Sequence, residues 1–184
     1  VLEQGSMDLK QYLATYAKDG LTGKAMRDAA LVAGNCVRAM HSSGMVWTDL
    51  KCENFVVVGV KETTQDNDAN SGLSGVKAID LESARPKRSN PVDYSPEACP
   101  PEFAEAFLEG YGEEFVLQES YDMWSLGMMM YELSTGTGYF GSKNPTLITK
   151  TLMNEAFLPN IEDVKDEKLR ALIGKCLNRN PKKR

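Results

Sequence analysis

A mainly helical body carrying one small β-hairpin is the fold class this sequence predicts, and three patterns point to it. Apolar Met26, Ala30, Ala33, Val37 and Met40 step by four and three, which sets them on one face of a helix. The run from Tyr121 to Leu133 is apolar almost all round, with Met123, Trp124, Leu126, Met128, Met129, Met130 and Tyr131, as expected of a helix at a domain centre. Two β-branched runs, Phe55-Val56-Val57-Val58-Gly59-Val60 and Val76-Lys77-Ala78-Ile79, have strand length and pair as a hairpin.

The elements follow in order. Leu21-Thr22-Gly23 precedes the first long helix and Ser42-Ser43-Gly44 stops it, after which Met45-Val46-Trp47 runs extended. Between the two hairpin strands, Lys61 to Gly75 holds almost no apolar residue and reads as a mobile surface loop. Prolines at 86, 91, 96, 100 and 101 forbid a long regular element and predict an irregular ordered segment. The central helix comes next, then amphipathic helices near residues 146 to 155 and 166 to 178.

A chain of 184 residues with 42% hydrophobic content fits one domain that needs no disulfide or metal to support its core. A formal charge of −5 argues against nucleic acid or an anionic membrane surface as partner. Cys36, Cys52, Cys99 and Cys176 lie far apart without a C-x-x-C pair, and His41 is the one histidine, so the thiols read as reduced and intracellular rather than zinc-bound. Neither a membrane span nor a signal sequence is legible, and the compartment defaults to cytoplasm. The lack of an initiator methionine and the Lys-Lys-Arg ending suggest a segment of something longer.

The chemistry concentrates in Asp49-Leu50-Lys51-Cys52-Glu53-Asn54, directly before a strand, with Asp80 ending the partner strand. Phosphoryl transfer asks for a carboxylate to orient a hydroxyl, oxygen ligands for magnesium and a cation for the γ-phosphate. The hairpin brings Asn54 and Asp80, both hard oxygen ligands, to a common edge. Alone, D-L-K-x-x-N also arises as a solvated polar turn.

Five ordered blocks over nearly the whole length lift it above that. Val1-Leu2-Glu3-Gln4-Gly5 with Met7-Asp8-Leu9 resembles the hinge and following helix of eukaryotic protein kinases of the serine/threonine type, and His41 to Lys51 resembles their passage into the catalytic loop. Ile79-Asp80-Leu81-Glu82 stands where that family has D-F-G, Ser95-Pro96-Glu97-Ala98-Cys99-Pro100-Pro101-Glu102 where it has T-P-x-x-x-A-P-E, and Asp122-Met123-Trp124-Ser125-Leu126-Gly127 where it has D-x-W-S-x-G.

The resemblance implies the large C-terminal lobe of a kinase acting on a protein hydroxyl with ATP and magnesium. Asp49 would be the catalytic base, Lys51 would contact the γ-phosphate, and Asn54 and Asp80 would hold magnesium. Glu3 and Gly5 would offer hinge backbone to adenine, with Leu2 as gatekeeper and Val56 under the ring. Ser95 would serve the active site, Asp122 would hold the catalytic-loop backbone, and Glu102 would pair with Arg184, so that cutting before Arg184 destabilises the lobe. His41, Trp47 and the methionines at 128 to 130 are expected to pack as core. No G-x-G-x-x-G or V-A-I-K-like element is present, which implies that the N-terminal lobe is missing from the chain as given, that this lobe or the rest of the parent chain is a partner, and that the isolated chain binds ATP poorly.

Two residues depart from the family pattern. Thr48 replaces the arginine that receives an activating phosphate, and Glu82 replaces the glycine of D-F-G. They leave a pseudokinase scaffold open as the first rival, and Asp80-Leu81-Glu82 leaves a small-molecule kinase of the same superfamily as the second.

Overall fold

A computed structural model of the chain describes residues 5–58, 73 and 75–184. Its first strand, β1 (Gly5–Asp8), leads directly into α1 (Leu9–Tyr16), whose first turn is capped by the Asp8 carboxylate accepting from the Gln11 amide at 2.8 Å. The long helix α2 (Gly23–Ser42) contains the whole Met26-to-Met40 stripe and buries Ala25, Met26, Ala29, Ala33 and Val37 along it. Gly44, at φ 71°, turns the chain into β2 (Met45–Trp47).

The anticipated hairpin is β3 (Phe55–Val58) with β4 (Val76–Ala78), in register Phe55 to Ala78 and Val57 to Val76. Phe55 and Val57 point into the core while Val56 faces the other way, the period-two alternation of a strand covered on one face. The sheet is larger than the hairpin expected, because β1 pairs antiparallel with the free edge of β3. A Cβ on Gly5 would stand 2.9 Å from Val56 Cβ, so this close pairing needs glycine there. A second, two-stranded sheet joins β2 to β5 (Ala84–Pro86), inside the segment read as irregular. Its last residue is a proline, tolerated at an edge where no further strand asks for an amide.

Helix α3 (Pro101–Leu108) was masked in the sequence by the run of prolines, the last of which starts the helix, where its missing N–H and fixed φ fit. The central helix α4 (Ser120–Thr135) buries Tyr121, Trp124, Met129 and Leu133 almost completely. A Cβ on Gly127 would lie 2.8 Å from Cys176 Cβ and from Leu177, which is why the helix carries glycine where α6 (Glu167–Cys176) crosses it. Before that crossing comes α5 (Pro145–Met153), opened by an Asn144 cap and Pro145. Asp166 caps α6 by accepting from the Lys168 and Leu169 amides, both at 2.9 Å.

Leu2, Glu3 and nearly all of the Lys61-to-Gly75 loop lie outside the described residues. Of that loop, Leu73 is buried in the main core and the Gly75 carbonyl accepts from the Val58 amide at 3.0 Å, so its return joins the hairpin. All four cysteines are free, Cys36 half-buried and the others buried. Among the described residues no helix is long and apolar enough to cross a membrane.

Candidate active site

The loop between β2 and β3 has buried residues alternating with residues that face the cleft. Thr48, Leu50 and Cys52 are wholly buried, while Asp49 and Lys51 between them keep part of their side chains open. Burying every other residue fixes the backbone, and the two charged groups are thereby aimed outward together. A one-turn helix over Cys52–Asn54 then returns the chain, the Asn54 amide donating to the Lys51 carbonyl at 3.1 Å.

Three donors converge on the Asp49 carboxylate. The Lys51 ammonium lies 2.9 Å away, the Asn54 side-chain amide donates at 2.9 Å, and the Ser95 hydroxyl donates at 2.5 Å. Lys51 also donates to the Ser95 hydroxyl oxygen at 2.7 Å, which closes a ring of aspartate, lysine and serine. The other amide hydrogen of Asn54 goes to the Asp49 carbonyl at 2.7 Å. With its nitrogen spent on Asp49, the oxygen of the Asn54 amide is the group it can offer a cation.

Asp80 stands beside Asn54 because the Ile79 amide donates to the Asn54 carbonyl at 2.9 Å, continuing the β3–β4 ladder. Its side chain is exposed, its φ is 57°, and its carbonyl accepts from the Trp47 indole at 3.2 Å. A non-glycine residue at such a φ is sparsely populated and held only by its surroundings, here the ladder on one side and the indole on the other. Glu82 takes an ordinary negative φ in the turn closed by Ala84 N–H to Leu81 carbonyl. The left-handed residue in this stretch is therefore Asp80, and a glutamate is accommodated at 82 without backbone strain. Gly5 and Val56 adjoin each other across β1 and β3; Glu3 and Leu2 lie outside the described residues.

The loop is anchored from below by α4. Asp122, completely buried, accepts from the Trp47 amide at 2.8 Å, and His41 Nε2 lies 2.9 Å from the same oxygen. Burial pushes the Asp122 carboxyl above the usual aspartate range, and His41 and the Trp47 N–H pull against that. His41 is thus a packed, hydrogen-bonded histidine, and Trp47 packs on Phe55 with ring centres 5.6 Å apart. Ser125, one turn along α4, donates to the Ala98 carbonyl at 2.8 Å and so holds the segment after Ser95. Farther on, the buried Arg184 guanidinium donates to Glu102 at 2.6 Å.

Two contacts had no signal in the sequence. One is the indole of Trp47 on Asp80, which ties the loop to the strand end. The other is Thr48, wholly buried, whose hydroxyl donates to the Asp93 carbonyl at 2.8 Å and lies 3.4 Å from that of Ser83. Where an arginine would need a phosphate to grip this segment, a short hydroxyl grips its backbone directly. Thr48→Val, which keeps the shape and deletes the donor, is expected to lower stability by about 1 kcal/mol and to speed limited proteolysis within residues 83–95. Denaturant melts and a protease time course check it, and unchanged cleavage would show that the tether does not order the segment.

Comparison with known proteins gives a consistent family. The whole of residues 1–184 matches the protein kinase domain. The serine/threonine-protein kinase gad8 of Schizosaccharomyces pombe is 29% identical over 154 residues, covering 84% of this chain and 23% of that protein. Calcium-dependent protein kinase 29 of Arabidopsis thaliana is 32% identical over 157 residues, covering 82% of this chain and 26% of that protein. The human serine/threonine-protein kinase ULK1 is 26% identical over 182 residues, 96% of this chain and 16% of that protein. This chain therefore spans about a quarter or less of the length of these relatives.

Proposed function

The chain belongs to the protein kinase domain family, and from that premise we propose that the protein carrying it transfers the γ-phosphoryl group of ATP to a serine or threonine hydroxyl of a protein substrate. The observation that carries this is the Ser95 hydroxyl donating to an Asp49 carboxylate that Lys51 and Asn54 hold in place. A hydroxyl is already received by this carboxylate in the geometry that general-base orientation of an attacking alcohol requires. The substrate hydroxyl would take that role toward Asp49, with Lys51 turning from Ser95 and Asp49 to the transferred phosphoryl group.

The residues fit magnesium. Asn54 presents an amide oxygen and Asp80 an exposed carboxylate at neighbouring ladder positions. Magnesium takes one or two protein ligands and completes its shell with phosphate and water, so two such oxygens would suffice. Magnesium would supply charge neutralisation between the β- and γ-phosphates. Gly5, Val56 and Glu3 would lie against the adenine. A glycine-rich phosphate loop and its lysine would come from an N-terminal lobe outside these 184 residues, and that lobe is part of the proposal.

The test is phosphorylation of a generic protein substrate by the complete protein, with magnesium-dependent ATP binding measured in parallel. Asp80→Asn is expected to weaken magnesium-dependent nucleotide binding by about tenfold or more, because a neutral oxygen replaces a charged ligand. Binding unchanged by the substitution would refute the role given to Asp80. Thr48 and Glu82 favour a second reading, a scaffold without catalysis, and a parent protein that binds neither nucleotide nor magnesium would establish it.

A further inference from the structure

Beside the Asp49–Lys51–Ser95 ring lies a cavity of about 420 Å³, lined by Lys51 itself and by Leu50, Ala98 and Ser125. On the kinase reading, this space is open to a side chain of the polypeptide whose hydroxyl reaches Asp49. Among the described residues three carboxylates border it. Glu53 precedes Asn54, Glu97 sits in the turn that begins at Ser95, and Glu132 rises from α4. Among the described residues three lysines border it as well, and Lys10 is the one bonded to these carboxylates. Lys51 is committed to Asp49 and Ser95, and Lys143 lies over the Phe140 ring with its nitrogen 5.8 Å from the centre. Lys10, on the first turn of α1, reaches in and donates to Glu53.

We infer that Lys10 is a specificity-determining residue of this site: its ammonium occupies the place among Glu53, Glu97 and Glu132 that an arginine or lysine of the substrate would otherwise fill. As it stands, the cavity takes an uncharged side chain, and the protein has no requirement for basic residues flanking the target hydroxyl. The inference rests on the kinase reading for its substrate, and on the ion pair and the cavity for its geometry.

The electrostatics agree with an ammonium drawn into a carboxylate cluster. The hydrogen bond to Glu53 holds the Lys10 ammonium above the usual lysine range, with Glu53, Glu132 and Glu97 adding to it against partial burial. Burial, then Glu53, push the Glu132 carboxyl up, and Lys10 opposes them. Without Lys10 these carboxylates would lose the ammonium that is bonded to Glu53.

The test uses a fluorescently labelled serine peptide with alanine flanks, and variants carrying a single arginine at each flanking position in turn. Binding is read by anisotropy and phosphorylation separately, in the full-length protein. The parent is expected to distinguish arginine from alanine by no more than about twofold at any position. Lys10→Ala is expected to prefer arginine by about tenfold at one position, Lys10→Arg to behave as the parent, and Lys10→Ala with Glu53→Gln to lose most of the gain. Lys10 is half-exposed, and Lys10→Gln, which keeps much of the stem, carries the test if the alanine variant does not fold. A parent that already prefers arginine, or a Lys10→Ala protein no more selective than the parent, overturns the inference. A parent that phosphorylates no peptide defeats the kinase reading instead, while the binding comparison still decides the role of Lys10.

Discussion

Asp49→Asn is expected to lower the turnover of phosphoryl transfer by about 10²- to 10⁴-fold while changing the nucleotide dissociation constant by no more than a few-fold. The carboxylate has two oxygens and receives three donors, from Lys51, Asn54 and Ser95. An asparagine at this place offers one oxygen and turns an NH₂ group toward donors, so the variant loses the charge and sets hydrogens against hydrogens at the same time. The damage falls mainly on the hydroxyl position, because Asn54 keeps its bond to the Asp49 carbonyl at 2.7 Å and Asp80 holds its place through the Ile79 ladder bond and the Trp47 indole, none of which involves the Asp49 side chain. Steady-state phosphorylation and nucleotide titration on the complete protein measure the two quantities. A turnover within tenfold of the parent's would remove Asp49 from the catalytic role and leave the family membership standing.

Most of the helical frame could be read in advance, because the responsible signals are dense and periodic. The stripe from Met26 to Met40 and the all-round apolar run to Leu133 each spread one message over several turns, and α2 and α4 follow them closely. The short elements lacked that redundancy. β1 has Met7 as its one large apolar residue, and β5 is Ala-Arg-Pro; both exist because a partner edge of β3 or β2 stands ready to pair their backbones, information held elsewhere in the chain. α3 was hidden for the opposite reason, since Pro101 reads as a breaker until its place in the first turn is known.

The site divides in the same way. Asp49, Lys51 and Asn54 lie within six residues and Asp80 closes the hairpin, so their meeting needed only local geometry and one register. The grip of Thr48 on Asp93 and of Lys10 on Glu53 joins residues some forty positions apart. No pattern of charges or spacing announces such a contact, because the same threonine or lysine on a surface would look identical in sequence. The first of them lies at Thr48, one of the two departures from the family pattern. One ties the segment beyond β5 without a phosphate, and the other sets an ammonium at the border of the cavity beside the catalytic loop.

Arg184→Ala carries the largest expected effect on stability, about 3 kcal/mol, or a melting temperature lower by roughly 6–12 °C. The arginine side chain is fully buried, whereas Glu102 remains 24% exposed. Removing the arginine therefore strands a carboxylate that can still recover some water, which places the loss at the lower end for a broken buried pair. The guanidinium also stands 5.5 Å from the Trp124 ring centre on the central helix, so the variant loses packing against the core as well as the charge. The pair is imperfect, since Arg184 Nε and Nη1 and one oxygen of Glu102 are buried without a hydrogen-bond partner among the described residues. Desolvation thus offsets much of what the bond at 2.6 Å contributes. It follows that Glu102→Gln with Arg184→Met, which replaces both charges at similar volume, should melt much closer to the parent than Arg184→Ala does. Thermal melts of the three proteins decide it. An Arg184→Ala melting point equal to the parent's would mean that α3 and the end of the chain are held by their apolar contacts alone, and a double variant as unstable as the single one would mean that the ion pair itself, rather than the avoidance of a stranded charge, does the holding.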